Sequence, residues 1–251
     1  MTESIDYRGG DNFVSSSETD LKQLWDEVVD LANRQYESAS FKRLLSLKFS
    51  RERAQQYSIQ MAYYVKNRRD CWAFVQGSSP LDVKQRIWEH ERDELIGNES
   101  EGKQDHITLA VKEGEVLGLT AKAFDQTGCI EGGVVCFSAW IRLAQRPWLE
   151  AIAASAILEV RNSAELIEGG SLSRRIAEIF ERDLGIPLRR QINNAEHVVM
   201  DVEHAHLLMK VARKYATTEA NRQAIVNGAK ESLLIDRVYR NHLAEMLEVL
   251  P

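Results

Sequence analysis

The chain has 251 residues, 44% hydrophobic and 28% charged, which suits one soluble domain with a sizeable core. A net charge of -6 with no Lys/Arg cluster on one face argues against a nucleic-acid partner, and no apolar run approaches the ~20 residues that span a bilayer. Four prolines and 14 glycines are too few for a many-turned β-sandwich and point to long helices.

Residues 1–18, rich in Ser, Gly and Asp, are expected to form a flexible arm, with a single domain over 19–251. The acidic, polar N-terminus lacks the pattern of a secretory signal. Together with the odd, unpaired Cys71, Cys129 and Cys136, it indicates a cytoplasmic protein with reduced thiols. The first helical pattern begins near Ser17–Glu18 and carries Leu21, Leu24, Trp25, Val28, Val29 and Leu31. A second starts at Phe49–Ser50, with Ser50 as cap, and runs to about Phe74. After a turn at 77–81, the next covers Leu81 to Ile96. A polar loop over 97–105 leads to a helix from His106 to about Gly118. A short helix near Ala121–Phe124 and a glycine-rich break precede Val134–Ala144, and Pro147 opens a helix to about Ile167. Helices at Leu172–Leu184, Arg189–Tyr215 and Glu219–Leu247 complete an all-α bundle of about seven longer helices.

Three groups of residues carry chemistry. His197, Asp201 and His204, at i, i+4 and i+7, fall within a ~60° arc of one helix face. Two imidazoles and a carboxylate on one face form a ligand set that ferrous iron accepts. The plain alternative is a solvated face, yet Ala205, Leu208 and Val211 continue the same inward side. His206 lies on the opposite face and Glu203 to the side, so neither is counted. Glu159 follows Ile152, Ser155 and Ala156 on a stripe of apolar and small residues. Metal coordination would offset the cost of burying its carboxylate, as would pairing with Arg161 or Arg142. Glu94 closes one helix and His106 opens the next, close enough in sequence to share a centre. His90 and Glu91, one turn earlier, are rivals to Glu94. Three carboxylates and three histidines from separate helices make up the inventory of a carboxylate-bridged two-iron site in a bundle. Gln60, Tyr63 and Asn67 share a face of the Ser50-capped helix and are candidates for a substrate pocket, with half-buried packing as the alternative.

These residues carry a resemblance over about 40–245. The run Phe49–Tyr57, then Tyr63-Tyr64-Val65, the Asp93-Glu94 pair before Gly97 with the later His106, the single Glu159, and Glu196-His197 through His204-Ala205 are similar to motifs of the haem-oxygenase-like di-iron oxidases. That family is related to thiaminase-type proteins, pyrroloquinoline-quinone synthase and the chlamydial death-domain-associated protein. The loop between Glu94 and His106 is several residues longer here. The resemblance implies a haem-oxygenase-like fold and an oxidoreductase in which Glu94, His106, Glu159, His197, Asp201 and His204 hold two Fe(II)/Fe(III) ions. Dioxygen would be the co-substrate. The implied substrate is a small molecule, an amino acid or amino-acid derivative in specialised biosynthesis, changed by N-oxygenation, desaturation or C–C cleavage. An external electron donor and a homodimer are compatible with this reading; nucleic acid and membrane are not expected partners. One branch makes p-aminobenzoate from its own tyrosine with the help of a lysine. Those positions correspond here to Phe41 and the neighbourhood of Gly169, which argues against that activity. Two rivals remain: a metal-independent enzyme of thiaminase or quinone-synthase type, and a non-catalytic helical interaction protein.

Overall fold

The computed structural model describes residues 17–97 and 102–251, with the backbone but not the side chains of 199–203. Residues 1–16 of the expected arm lie outside the described residues. Ser17 and Glu18 do not belong to such an arm: Ser17 Oγ accepts from Asp20 N–H at 3.1 Å, and Glu18 is already helical.

Eleven α-helices and two 3-10 turns, and no β-strand, make up the described residues. The helices are α1 (Glu18–Arg34), α2 (Ala39–Ser46), α3 (Arg51–Ser78), α4 (Leu81–Leu95), α5 (His106–Val116), α6 (Ala121–Gln126), α7 (Glu131–Ala144), α8 (Trp148–Asn162), α9 (Leu172–Leu184), α10 (Ile192–Tyr215) and α11 (Glu219–Glu248). The expected bundle of about seven longer helices is thus joined by shorter ones. The main addition is α2, whose cap Ser38 accepts from Phe41 N–H and which buries Phe41 and Leu44. The Pro147 helix ends at Asn162 rather than near Ile167. Ser163 turns extended there, and Leu166 and Ile167 pack against the core from a loop.

α8 is the centre of the bundle. Every residue from Ala151 to Leu158 is buried, which alanines at 151, 153, 154 and 156 make sterically possible on all sides. Where α11 crosses it, a Cβ on Gly228 would stand 2.1 Å from the Glu150 carbonyl oxygen, so only glycine fits. Trp140 of α7 closes the same region by donating from Nε1 to Ser232 Oγ at 3.0 Å. A second apolar cluster holds Phe41, Phe49, Tyr57, Phe180 and Leu243, joining α2 and α9 to the start of α3 and the end of α11. Between the clusters, α3, α4, α5, α8 and α10 surround a polar interior. No described helix is long and apolar enough to cross a membrane.

Candidate metal centre

The interior is organised around Glu94. It ends α4, one turn after His90, so the two side chains share a face. Gly97 follows at φ +72, and a Cβ there would meet the Lys103 carbonyl oxygen at 2.5 Å, so the two described ends of the connection lie against each other. The chain re-enters the interior at His106, the first residue of α5, which is set by its cap: Asp105 Oδ1 accepts from Thr108 N–H at 2.9 Å. α10 supplies His197 and His204, two helical turns apart on one side.

These elements assemble two pairs of imidazoles. The rings of His90 and His204 lie 4.3 Å apart between centroids, and those of His106 and His197 lie 4.5 Å apart. Glu94 stands between the pairs. Its Oε1 is 3.3 Å from His204 Nδ1 and its Oε2 is 2.9 Å from His106 Nδ1. Arg69 of α3 binds the same carboxylate through Nη1 and reaches Glu91 Oε1 at 3.1 Å. Glu91 in turn contacts His90 Nδ1 at 3.0 Å. All six of these residues other than His197 are less than 9% exposed.

The electrostatics favour metal-binding protonation states. Burial, reinforced by neighbouring His204, depresses the His90 imidazole to about 4 and keeps it neutral. Burial would raise the Glu94 carboxyl, but Arg69 and His106 outweigh it and hold the group well below its ordinary value. Burial does prevail at Glu91, pushed up to about 7 against the pull of Arg69. With Nδ1 directed at Glu91, His90 leaves Nε2 buried and without a hydrogen-bond partner among the described residues. Such an orphaned nitrogen is costly unless something binds it. Ligand atoms of His90, Glu94 and His204 lie within 4.8 Å of one another, close enough to hold one metal ion, and nitrogen with carboxylate oxygen is a donor set that iron accepts.

Of the sequence-derived ligands, Glu94, His106, His197 and His204 therefore converge. Glu159 lines the adjoining cavity, half-buried, and its charge is felt by His90 and Arg69. Arg161, one suggested partner for Glu159, is engaged instead by Asp236. The side chain of Asp201 lies outside those described. His90, treated from sequence only as a rival to Glu94, joins it; the signal was its i, i+4 spacing on the same helix. His206 is turned outward beside Glu165, at 3.8 Å.

The cavity measures about 80 Å³, enough for several water-sized groups. Beside Glu94, His106 and His197, its wall includes Glu113, Arg161 and Arg240. Its wall does not include Gln60, Tyr63 or Asn67, the residues expected at a substrate pocket. Gln60 bonds Gly128 O and Ile130 N–H, Tyr63 donates to Thr127 O at 2.8 Å, and Asn67 donates to Phe137 O. All three tether α3 to α7 or to the segment before it.

The fold has counterparts in solved structures. A CADD-like protein of unknown function from Nostoc punctiforme superposes with a TM-score of 0.69 at 19% identity, covering 91% of this chain and 98% of that one. A domain of unknown function with a haem-oxygenase-like fold from Shewanella denitrificans gives 0.71 at 13%, covering 91% and 94%. A TenA homologue from Pseudomonas syringae gives 0.59 at 14%, covering 91% and 92%. At these identities the likeness concerns the fold, which is haem-oxygenase-like. No curated protein sequence matches the chain. A family model described as iron-containing redox enzyme matches residues 55–237, a span that contains every residue of the cluster around Glu94, and the chain belongs to that family.

Proposed function

We propose that this redox enzyme is a non-haem di-iron oxidase that uses dioxygen to oxidise a small molecule, an amino acid or amino-acid derivative. The observation that carries the reading is the position of Glu94. One carboxylate directs its two oxygens at two different imidazole pairs, as a ligand shared between two ions would. His90 and His204 would serve one ion, His106 and His197 the other, with Glu159 and Asp201 completing the set. When bound, iron supplies the redox chemistry that activates dioxygen, which no side chain here can supply.

The protein's own residues have three tasks. Neutral His90 keeps its lone pair available. Arg69 holds Glu94 ionised and aimed between the imidazoles. The buried walls of α3, α4 and α8 exclude bulk water, which strengthens every charge interaction inside.

Iron stoichiometry of two histidine variants tests the reading. His204→Ala should lose at least one ion per chain and the oxygen-dependent absorbance while remaining folded. A lost ligand generally costs more than a lost outer partner, itself worth about 10–100-fold in metal affinity. His206→Ala, turned out toward Glu165, should bind iron normally. Equal retention or equal loss in both variants removes the assignment's main support.

A further inference from the structure

A second buried charged cluster adjoins the cavity, and the metal reading makes no use of it. Arg161 of α8 and Arg240 of α11 both line the wall, at 3% and 0% exposure, and share one carboxylate, that of Asp236. Arg240 Nε donates to Asp236 Oδ1 at 3.0 Å, and Arg161 Nε lies 3.2 Å from Oδ2, too bent for a hydrogen bond. The remaining donors are poorly used. Arg161 Nη2 donates to Tyr64 Oη at 3.3 Å, and Arg240 Nη1 faces the Met61 sulfur, a weak acceptor, at 3.2 Å. Arg240 Nη2 is buried with no hydrogen-bond partner among the described residues, and Arg161 Nη1 makes no well-formed hydrogen bond there, although the Tyr36 hydroxyl lies beside that guanidinium. Arg240 also rests on the Tyr64 and Tyr239 rings, 4.9 and 5.0 Å from their centroids.

Guanidinium groups remain charged at any pH the fold survives. Within this cluster two of them share one carboxylate, an excess of one positive unit, with Arg68 and Glu159 also on the cavity wall. A buried unpaired charge is expensive, and one monoanion would neutralise it while accepting from those two Nη groups. The planar guanidinium fork matches a carboxylate in shape. The rest of the wall, with Met61, Leu158, Leu172 and Phe180, suits an apolar body attached to that anion.

We propose that Arg161 and Arg240 form a subsite for the carboxylate of the substrate. This inference rests on the cavity being the substrate chamber of the proposed oxidase, and it fixes which end of the substrate is anchored away from the metal ligands.

The test compares butyrate with butyramide, its neutral counterpart of nearly the same shape, by calorimetry and thermal shift on the full-length chain without iron. Omitting iron ensures that a carboxylate cannot score by ligating the metal. Butyrate should bind at least tenfold more tightly than butyramide and raise the melting temperature. Arg161→Gln, a buried change that keeps polar volume, should erase the preference. Equal binding of the two probes, no binding of either, or a preference undiminished in a folded Arg161→Gln would overturn the subsite. Should that variant fail to fold, the discrimination between the two probes by the unmodified chain decides the matter. Iron stoichiometry is read separately. A chain that binds two irons but ignores butyrate loses only this inference, whereas one that prefers butyrate but takes up no iron loses the oxidase reading.

Discussion

The cluster around Glu94 and the cluster around Asp236 are both almost wholly buried, yet they are unbalanced in opposite senses. At the first, Arg69 offsets the ionised Glu94, burial lets Glu91 keep its proton up to about 7, and the neutral His90 has a nitrogen lone pair with no partner among the described residues. At the second, two guanidiniums share one carboxylate, and it is N–H donors that lack well-formed partners among the described residues. Burial charges a similar penalty to either sign, so each imbalance names the species that would relieve it: a cation at the first, an anion at the second. A stability measurement can therefore reveal more about function here than a list of lining residues.

The comparison is broken most severely at Asp236. Asp236→Ala leaves two buried guanidiniums with no counter-ion and should cost about 3–5 kcal/mol by urea denaturation. Adding Fe(II) should not restore the loss, because the deficit is one of negative charge. Arg69→Met is the complementary case. It should cost the iron-free chain about 2–3 kcal/mol, since Glu94 keeps two imidazole neighbours, and Fe(II) should recover much of that by binding the native state. If iron rescues Asp236→Ala, or fails to rescue Arg69→Met, the two clusters are not the opposites described here.

Gly228→Ala addresses the helix pair that carries the arginines. Its new Cβ would strike the Glu150 carbonyl oxygen, for an expected loss of about 1–3 kcal/mol whether iron is present or not. An unchanged denaturation midpoint would show that α8 and α11 can separate freely.

The smallest effect concerns Glu113, on the cavity wall between the clusters' charges. Its carboxyl accepts from Asn193 N–H at 2.9 Å and from Asn194 Nδ2 at 3.3 Å, but burial outweighs both and raises it from 4.5 to about 7. The native state thus holds this proton more tightly than the unfolded chain does, and stability should fall as pH rises from about 4.5 to about 7. Glu113→Gln removes the titration. The stability of the variant relative to the parent should improve by about 1–2 kcal/mol between pH 5 and pH 8. A difference that stays constant with pH would mean that Glu113 is ionised throughout.

Much of the scaffold was legible because helix starts are local. Ser17, Ser50 and Asp105 each hold free N–H groups within three residues, and the bounds Leu172–Leu184 follow from one apolar stripe closed by Gly185. α2 was not legible: eight residues are about two turns, too few for a 3.6-residue period to stand out. The one-face spacing on α10 identified His197 and His204 as inward-facing, but not that they serve different imidazole pairs. That division depends on where α4 and α5 lie across from α10, which is tertiary information. Gln60, Tyr63 and Asn67 do share a face, and that face bonds α7 and the segment before it. The arginine cluster was missed: Arg161 was considered only as a partner for Glu159, and although Asp236 and Arg240 stand at i, i+4, only packing shows that all three meet.

The close contact at Gly228 also bears on how the interior could admit a guest. α8 and α11 touch backbone to backbone, so neither can slide along the other without collision. Arg161, Asp236 and Arg240 therefore ride on a single stiff unit. α4 and α5 bring Glu94 and His106 together on the facing wall through side chains, with Glu94 Oε2 2.9 Å from His106 Nδ1. A cavity of about 80 Å³ that must widen around an arriving molecule would yield on that side, so the wall holding the anion would stay fixed while the wall holding Glu94 and His106 adjusts to the guest.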